Sequence, residues 1–268
     1  MSSNKPLVSV LMTAPKYDPY FQEAIESIVN QTYRPIEVVL ILESDFEIYE
    51  SILATVCNKK SDFSYLIKLS KVRSFCYCIN RSLEVCNGQF IARMDTDDVS
   101  HPERFNMQVD HLLNNPNCTI VGTKAIPIDP NSVRLGDKNL PFYQTDREIK
   151  SVLPYRNPIF HSSVMARKSE ILEFGVYKYD FHAQDHEMWI RYSFMPGVQF
   201  FNLDLELYYY RRHEAQCTSL ANAYSGFTDI AGFMFRFFLR TGNPKFLLGF
   251  VAVHPYVRKL RSILKGFA

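Results

Sequence analysis

Three aspartates within four residues, Asp95, Asp97 and Asp98, stand directly after the apolar run FIARM (90–94). Carboxylates crowded this closely repel one another, so a fold either leaves them in water or brings a cation to them. Their oxygen donors suit a hard divalent ion, Mg²⁺ or Mn²⁺. The competing explanation is local, because aspartate is a good turn and N-cap residue. The choice depends on where the turn sits in the fold. A fourth carboxylate, Asp185, lies in FHAQDHEMWIRYS (181–193), where Met188, Trp189 and Tyr192 give a helix its buried face and put Asp185 in the first turn.

The elements around the triplet fix its position. LVSVLM (7–12) and IEVVLIL (36–42) read as buried strands, followed by FSYLIKL (63–69) and QFIARM (89–94) as two further strands. Between them, Phe21, Ala24, Ile25, Ile28 and Val29, then Tyr49, Ile52, Leu53 and Val56, then Cys76, Ile79, Leu83 and Cys86 recur at helical spacing. Continuous apolar strands separated by amphipathic helices predict an α/β fold with a parallel sheet covered on both faces. Ligands bind such sheets beyond the carboxyl ends of the strands, which is where the triplet falls. Ser100–Glu103 reads as a capping box, starting a helix that buries Phe105, Val109, Leu112 and Leu113.

The middle of the chain is less regular. TIVGT (119–123) and AIPI (125–128) predict two strands, DPNSVRLGDKN (129–139) a loop, and Thr145–Glu148 a second capping box. HSSVMARKSEILEFG (161–175) predicts a strand then a helix closed by Gly175.

Composition sets the outer limits. With 268 residues, 47% of them hydrophobic, the chain can bury a sizeable core. Six cysteines without a CxxC pair suggest reduced thiols used as core filler. No signal peptide or membrane span is legible, which predicts a cytoplasmic protein. A net charge of +2 gives no reason to expect nucleic acid as a partner. From residue 221 onward, however, seven basic residues face a single acid, Asp229. This stretch (221–268) is aromatic, aliphatic and basic, broken by Gly242, Pro244 and Pro255. It reads as an amphipathic helical tail that either lies on anionic lipid or packs on the catalytic domain or a second subunit, giving a homodimer.

With EAIESIVNQTY (23–33), the block 79–112, HSSVMARKS (161–169), QDHEMWIR (184–191) and YRRHEAQCTS (210–219), the chain resembles the family 2 glycosyltransferases of GT-A fold, the small enzymes of bacterial polysaccharide and O-antigen assembly. The resemblance implies a Rossmann-like, mixed and mostly parallel sheet in a domain spanning 1–220, with a nucleotide-binding half at 1–115 and an acceptor-binding half at 116–220. It implies an inverting, metal-dependent enzyme that moves a hexose from a nucleotide-sugar, UDP-linked, to a hydroxyl of a polyprenyl-diphosphate-linked oligosaccharide. Such an enzyme works in the cytoplasm or on the inner face of the membrane. A nucleotidyltransferase and an inactive nucleotide-sugar-binding scaffold are the rival readings. Against the first, Thr13 to Tyr17 contains no glycine for a triphosphate loop.

Residue by residue, the resemblance implies that Asp97 and Asp95 hold Mn²⁺ or Mg²⁺ with His213, and that Asp185 is the catalytic base. It puts Glu43, Arg73, Asn80, Asp95, Asp97 and Arg211 on the donor, with Asp45 in reserve for Glu43, and His161 and Trp189 on the acceptor side. The chain departs from the family pattern at Thr13–Lys16, at Glu43, at Val72–Ser74 and at Gln184, where a glutamate is usual.

Overall fold

The computed structural model describes residues 5–57, 62–136, 141–179, 183–213 and 223–252, the side chains of 223–227 aside. Its centre is an eight-stranded sheet in the order β3-β2-β1-β4-β7-β6-β8-β5. The strands are β1 (Val8–Ala14), β2 (Ile36–Leu42), β3 (Phe63–Leu69), β4 (Phe90–Arg93), β5 (Val99–Ser100), β6 (Ile120–Ile128), β7 (Met165–Arg167) and β8 (Phe200–Arg211). Strands β3, β2, β1 and β4 run parallel. β7 is antiparallel to both β4 and β6, β8 is parallel to β6, and β5 is antiparallel to β8. The sheet is therefore mixed and mostly parallel, as the resemblance implied.

Strand residues alternate between two cores, because successive side chains leave opposite faces of a sheet. Val8, Val10 and Met12 join one core, while Leu11 joins the other. The first core is closed by helices α1 (Phe21–Val29), α2 (Phe46–Cys57) and α4 (Arg104–Asn114), the second by α3 (Phe75–Val85), α5 (Asp146–Val152), α6 (Lys168–Phe174) and α7 (Gln184–Ser193). Helix α1 buries the five residues its periodicity singles out. Each such apolar side chain contributes about 1.5–3 kcal/mol on burial.

Three local expectations give way to tertiary pairing. Ser100 does not cap a helix: Val99 and Ser100 pair with Tyr209 and Tyr208 of β8, and α4 starts four residues later with no side-chain cap. TIVGT and AIPI are one strand, β6, whose register with β8 shifts around Lys124 and absorbs the irregularity. Leu113 is exposed. By contrast, the Thr145–Glu148 capping box forms with both its hydrogen bonds, and Gly175 ends α6 at φ 95°. Strand β8, the longest of the described strands, occupies a stretch whose residue pattern predicts no element. The five described cysteines are buried and free, and Cys217 lies outside the described residues.

After β8 come α8 (Ala223–Thr241) and α9 (Pro244–Ala252), which pack against each other and on the second core through Phe233, Met234, Phe237 and Phe246. The described part of the tail thus packs on the α/β domain. Residues 253–268 fall outside the described residues.

Candidate functional site

The sheet order places β2 and β4 on either side of β1, so the loops that follow β1 and β4 are neighbours at the carboxyl ends of the strands, where sheets of this kind carry their ligand crevice. Both loops meet there: Thr96 Oγ1 donates to Asp18 Oδ2 at 3.3 Å. The carboxylate oxygens of Asp95, Asp97 and Asp98 lie within 4.8 Å of one another, and among the described residues this is the group of acids able to share one ion.

The three are not equivalent. Asp98 is fully buried, and its two oxygens accept from Tyr208 Oη at 2.7 Å and from the Arg211 backbone N–H at 2.8 Å. Burial, then the charges of Asp97 and Asp95, push its carboxyl well up. Asp98 straps the loop to β8. Asp97 is partly exposed, and its Oδ2 lies 3.0 Å from His213 Nε2. Burial and the Asp95 charge raise its carboxyl above the ordinary range. Asp95 behaves in the opposite way: burial pushes it up, but the Arg93 guanidinium and a hydrogen bond from Ser162 outweigh that and hold it below the ordinary range. Two repelling acids beside a paired third suit a divalent cation, which would relieve the repulsion that raises Asp97. The donor set therefore fits Mg²⁺ or Mn²⁺, with Asp95 and Asp97 as the carboxylates open to it.

Asp185 lies within range of the Asp95 charge. It sits in the first turn of α7, where its own N–H and that of His186 point at the carboxylate, and Asn157 Nδ2 donates to Oδ2 at 2.5 Å. Burial nevertheless dominates and, with a contribution from the Asp95 charge, lifts its pKa to about 6. His161 Nε2 is 2.6 Å from Tyr177 Oη, and burial together with Arg93 drives its pKa down to about 3, so the ring is neutral. Glu43 follows β2 and is half-buried, and Arg73 is exposed in the turn before α3.

Three expected ligand contacts are committed elsewhere. Arg211 is 0% exposed; its guanidinium donates to the carbonyls of Asp97, Asp129 and Pro130, to Ser132 and to Glu23, and stacks over Tyr20. It locks the end of β8 instead of meeting phosphate. Asn80 exchanges two hydrogen bonds with the Tyr177 backbone, fixing the segment that carries Tyr177 against α3. Trp189 is buried in the second core against Tyr192, Phe200 and His161, and supports the His161 wall from behind. Asp45, held in reserve for Glu43, instead accepts from Tyr17 N–H and Ser44 Oγ and shapes the neighbouring loop.

Sequence reasoning missed Arg93, Tyr177 and Asn157. Arg93 is buried two residues before Asp95, pairs with it, and lies under the Phe75 ring. Strand alternation puts positions 93 and 95 on one side, so an arginine inside FIARMD was a usable signal. Asn157 carries none, because only the fold brings it to Asp185.

Comparison with known proteins adds the following. A family model described as glycosyl transferase family 2 matches residues 9–174. The O-antigen biosynthesis glycosyltransferase WbnJ of Escherichia coli is 30% identical over 237 residues, 87% of this chain and 89% of its own length. The UDP-Gal:alpha-D-GlcNAc-diphosphoundecaprenol beta-1,3-galactosyltransferase of the same species is 27% identical over 71% of this chain and 69% of its own. Among solved structures, S. aureus TarS in complex with UDP-GlcNAc superposes with a TM-score of 0.64 at 13% identity, over 86% of this chain and 66% of that one. Mannosyltransferase PcManGT from Pyrobaculum calidifontis, in complex with GDP-Man and Mn²⁺, gives 0.63 at 18% identity over 93% and 69%. At those identities the structural likeness carries the fold.

Proposed function

Because the chain belongs to glycosyl transferase family 2, we propose that it moves a hexose from a UDP-sugar to a hydroxyl of a polyprenyl-diphosphate-linked sugar or oligosaccharide during assembly of a bacterial surface polysaccharide, with inversion at the anomeric carbon. The observation that carries this reading is the acidic group of Asp95, Asp97 and Asp98 at the carboxyl ends of the strands, with Asp185 within range of the Asp95 charge. The lipid-linked acceptor is supported by the name of one relative and by the basic, apolar tail.

In this mechanism Asp95 and Asp97 would hold Mn²⁺ or Mg²⁺, and His213 beside Asp97 would offer a ring nitrogen to the ion or the diphosphate. The bound ion would neutralise the charge that builds on the departing nucleoside diphosphate. Asp185 takes the proton of the acceptor hydroxyl as that oxygen attacks the anomeric carbon from the face opposite the diphosphate. Asn157 keeps one carboxylate oxygen fixed so that the other faces the acceptor. Arg93, itself buried, holds Asp95 ionised and in place. Glu43 accepts hydrogen bonds from the base or ribose, Arg73 reaches the phosphates, and neutral His161 lines the acceptor side. Residues 1–115 thus serve the donor and 116–220 the acceptor. The enzyme acts as a peripheral protein on the inner face of the membrane; no helix among the described residues is long and apolar enough to cross it.

The test is titration calorimetry of UDP with and without Mn²⁺. The wild type is expected to bind UDP only with the metal, and Asp97→Asn to lose that metal-dependent binding. Equal binding by the variant would remove the cation from the reading.

A further inference from the structure

The two tail helices have two different faces. Inward, Phe233, Met234, Phe237 and Phe246 are buried, Phe194 of α7's C-terminus stacks on Phe237, and the backbone of Pro154 closes on Gly249. Outward, α8 shows Phe235 (46% exposed) and Leu239 (68%), four residues apart on one side of the helix, and α9 shows Leu247 (40%), Leu248 (60%) and Val251 (51%). Five large apolar side chains left in water on one helical hairpin are unusual for a soluble surface, where exposed apolar residues are normally scattered singly. The charges beside them have one sign. Arg240 and Lys245 are exposed, and no acid among the described residues pairs with either. Arg236 is occupied, lying over the Tyr179 ring and donating to its hydroxyl. The 221–268 stretch adds Arg258, Lys259, Arg261 and Lys265 in sequence, against the single acid Asp229.

We propose that the outward face of α8 and α9 is a docking surface for an anionic lipid bilayer, Phe235, Leu239, Leu247, Leu248 and Val251 entering the acyl boundary and Arg240 and Lys245 meeting lipid phosphates. The inference deepens the proposed function, on which it rests for the membrane-borne acceptor, by naming the surface through which the enzyme meets the membrane. Charge complementarity favours lipid over a second copy of the chain. A symmetric dimer across this face would bring Arg240 and Lys245 toward their own copies with no acid to offset them, whereas an anionic leaflet attracts every base near it. The surface is also mechanically tied to the site. Arg236 links α8 to Tyr179, and that segment carries Tyr177, the partner of His161, and leads into the helix that bears Asp185. Docking α8 therefore holds the acceptor side of the crevice at a set height above the lipid.

Co-sedimentation of the full chain with vesicles of phosphatidylcholine, alone or mixed with phosphatidylglycerol, tests this directly. Wild type is expected to pellet with the mixed vesicles and to remain in solution with the neutral ones. R240E/K245E should bind the mixed vesicles at least about thirtyfold more weakly, roughly fivefold per base. L239E/L248E, at positions already mostly in water, should lose vesicle binding while keeping its melting temperature. Wild type that ignores anionic vesicles, or variants that bind as it does, would overturn the proposal. So would light scattering that shows a wild-type dimer split by L239E/L248E, which would make this face a subunit interface. Metal-dependent UDP binding, measured in parallel, separates the two ideas: lost vesicle binding with UDP binding intact removes the docking surface alone, and lost UDP binding removes the proposed function alone.

Discussion

At Asp185 two influences compete over a single proton. Burial favours the neutral acid, while two backbone N–H groups and Asn157 favour the carboxylate, and the balance leaves the pKa near 6. A base must be ionised to act. Turnover is therefore expected to be level above that pH and to fall about tenfold per unit below it, read from a kcat–pH profile. Removing the Asn157 donor takes away one influence that lowers the pKa, so Asn157→Ala should move the acidic limb to higher pH. Asp185→Asn should keep UDP binding and lose about 10²–10⁴-fold in kcat. Stability runs the other way. The folded pKa lies above the unfolded value, so the favourable contribution is complete below about pH 4 and disappears as pH rises through about 6. Asp185→Asn is accordingly expected to melt higher than wild type at pH 7 and no higher near pH 4, a gain in stability obtained at the cost of function.

Among the elements, α9 depends on one close approach. A Cβ on Gly249 would meet the Pro154 carbonyl oxygen at 1.7 Å, a backbone atom that cannot swing aside as a side-chain tip would. Gly249→Ala should unseat α9 and its Phe246 from the second core, seen as faster amide exchange in α9 and a lower melting temperature, with UDP affinity unchanged. The same reasoning explains which helix starts could be read locally. Thr145–Glu148 caps α5 because both partners lie within one turn and nothing else claims them. Ser100 has the same local pattern, but Gln31 donates to its hydroxyl, Ser27 accepts from its N–H, and β8 takes its backbone into the sheet.

At the scale of the molecule, the acidic loop and the far end of the sheet are one structure. Asp98 and Arg211 lie 113 positions apart, yet the carboxylate receives the Arg211 N–H and the Arg211 guanidinium closes on the Asp97 carbonyl, Asp129, Pro130 and Glu23. Buried Arg104, hydrogen-bonded to the carbonyls of Arg93 and Ser162, lies over the Tyr208 ring and adds positive charge near Asp98. Asp98→Ala would take one buried partner each from the Tyr208 hydroxyl and the Arg211 N–H, and should cost roughly 3 kcal/mol in urea unfolding. Asp97→Asn, at a partly exposed carboxylate, should leave the urea midpoint nearly unchanged while losing metal-dependent UDP binding. A loss of stability in both variants, or in neither, would contradict this division of labour within the triplet.

The amino-acid sequence by itself determined the parallel half of the sheet, its covering helices, and the position of Asp95–Asp98 at the carboxyl ends of the strands. These follow from short-range periodicity, which is set by backbone geometry whatever the rest of the chain does. Tertiary structure alone decided what each polar side chain near the crevice meets. It turned Arg211, Asn80 and Trp189 inward, drew Ser100 into a strand, brought Asn157 to Asp185, and separated Asp98 from Asp97 although they are adjacent in the chain. A hydrogen bond or ion pair depends on atoms from distant segments arriving within about 3 Å, and no local pattern of residue types encodes that arrival.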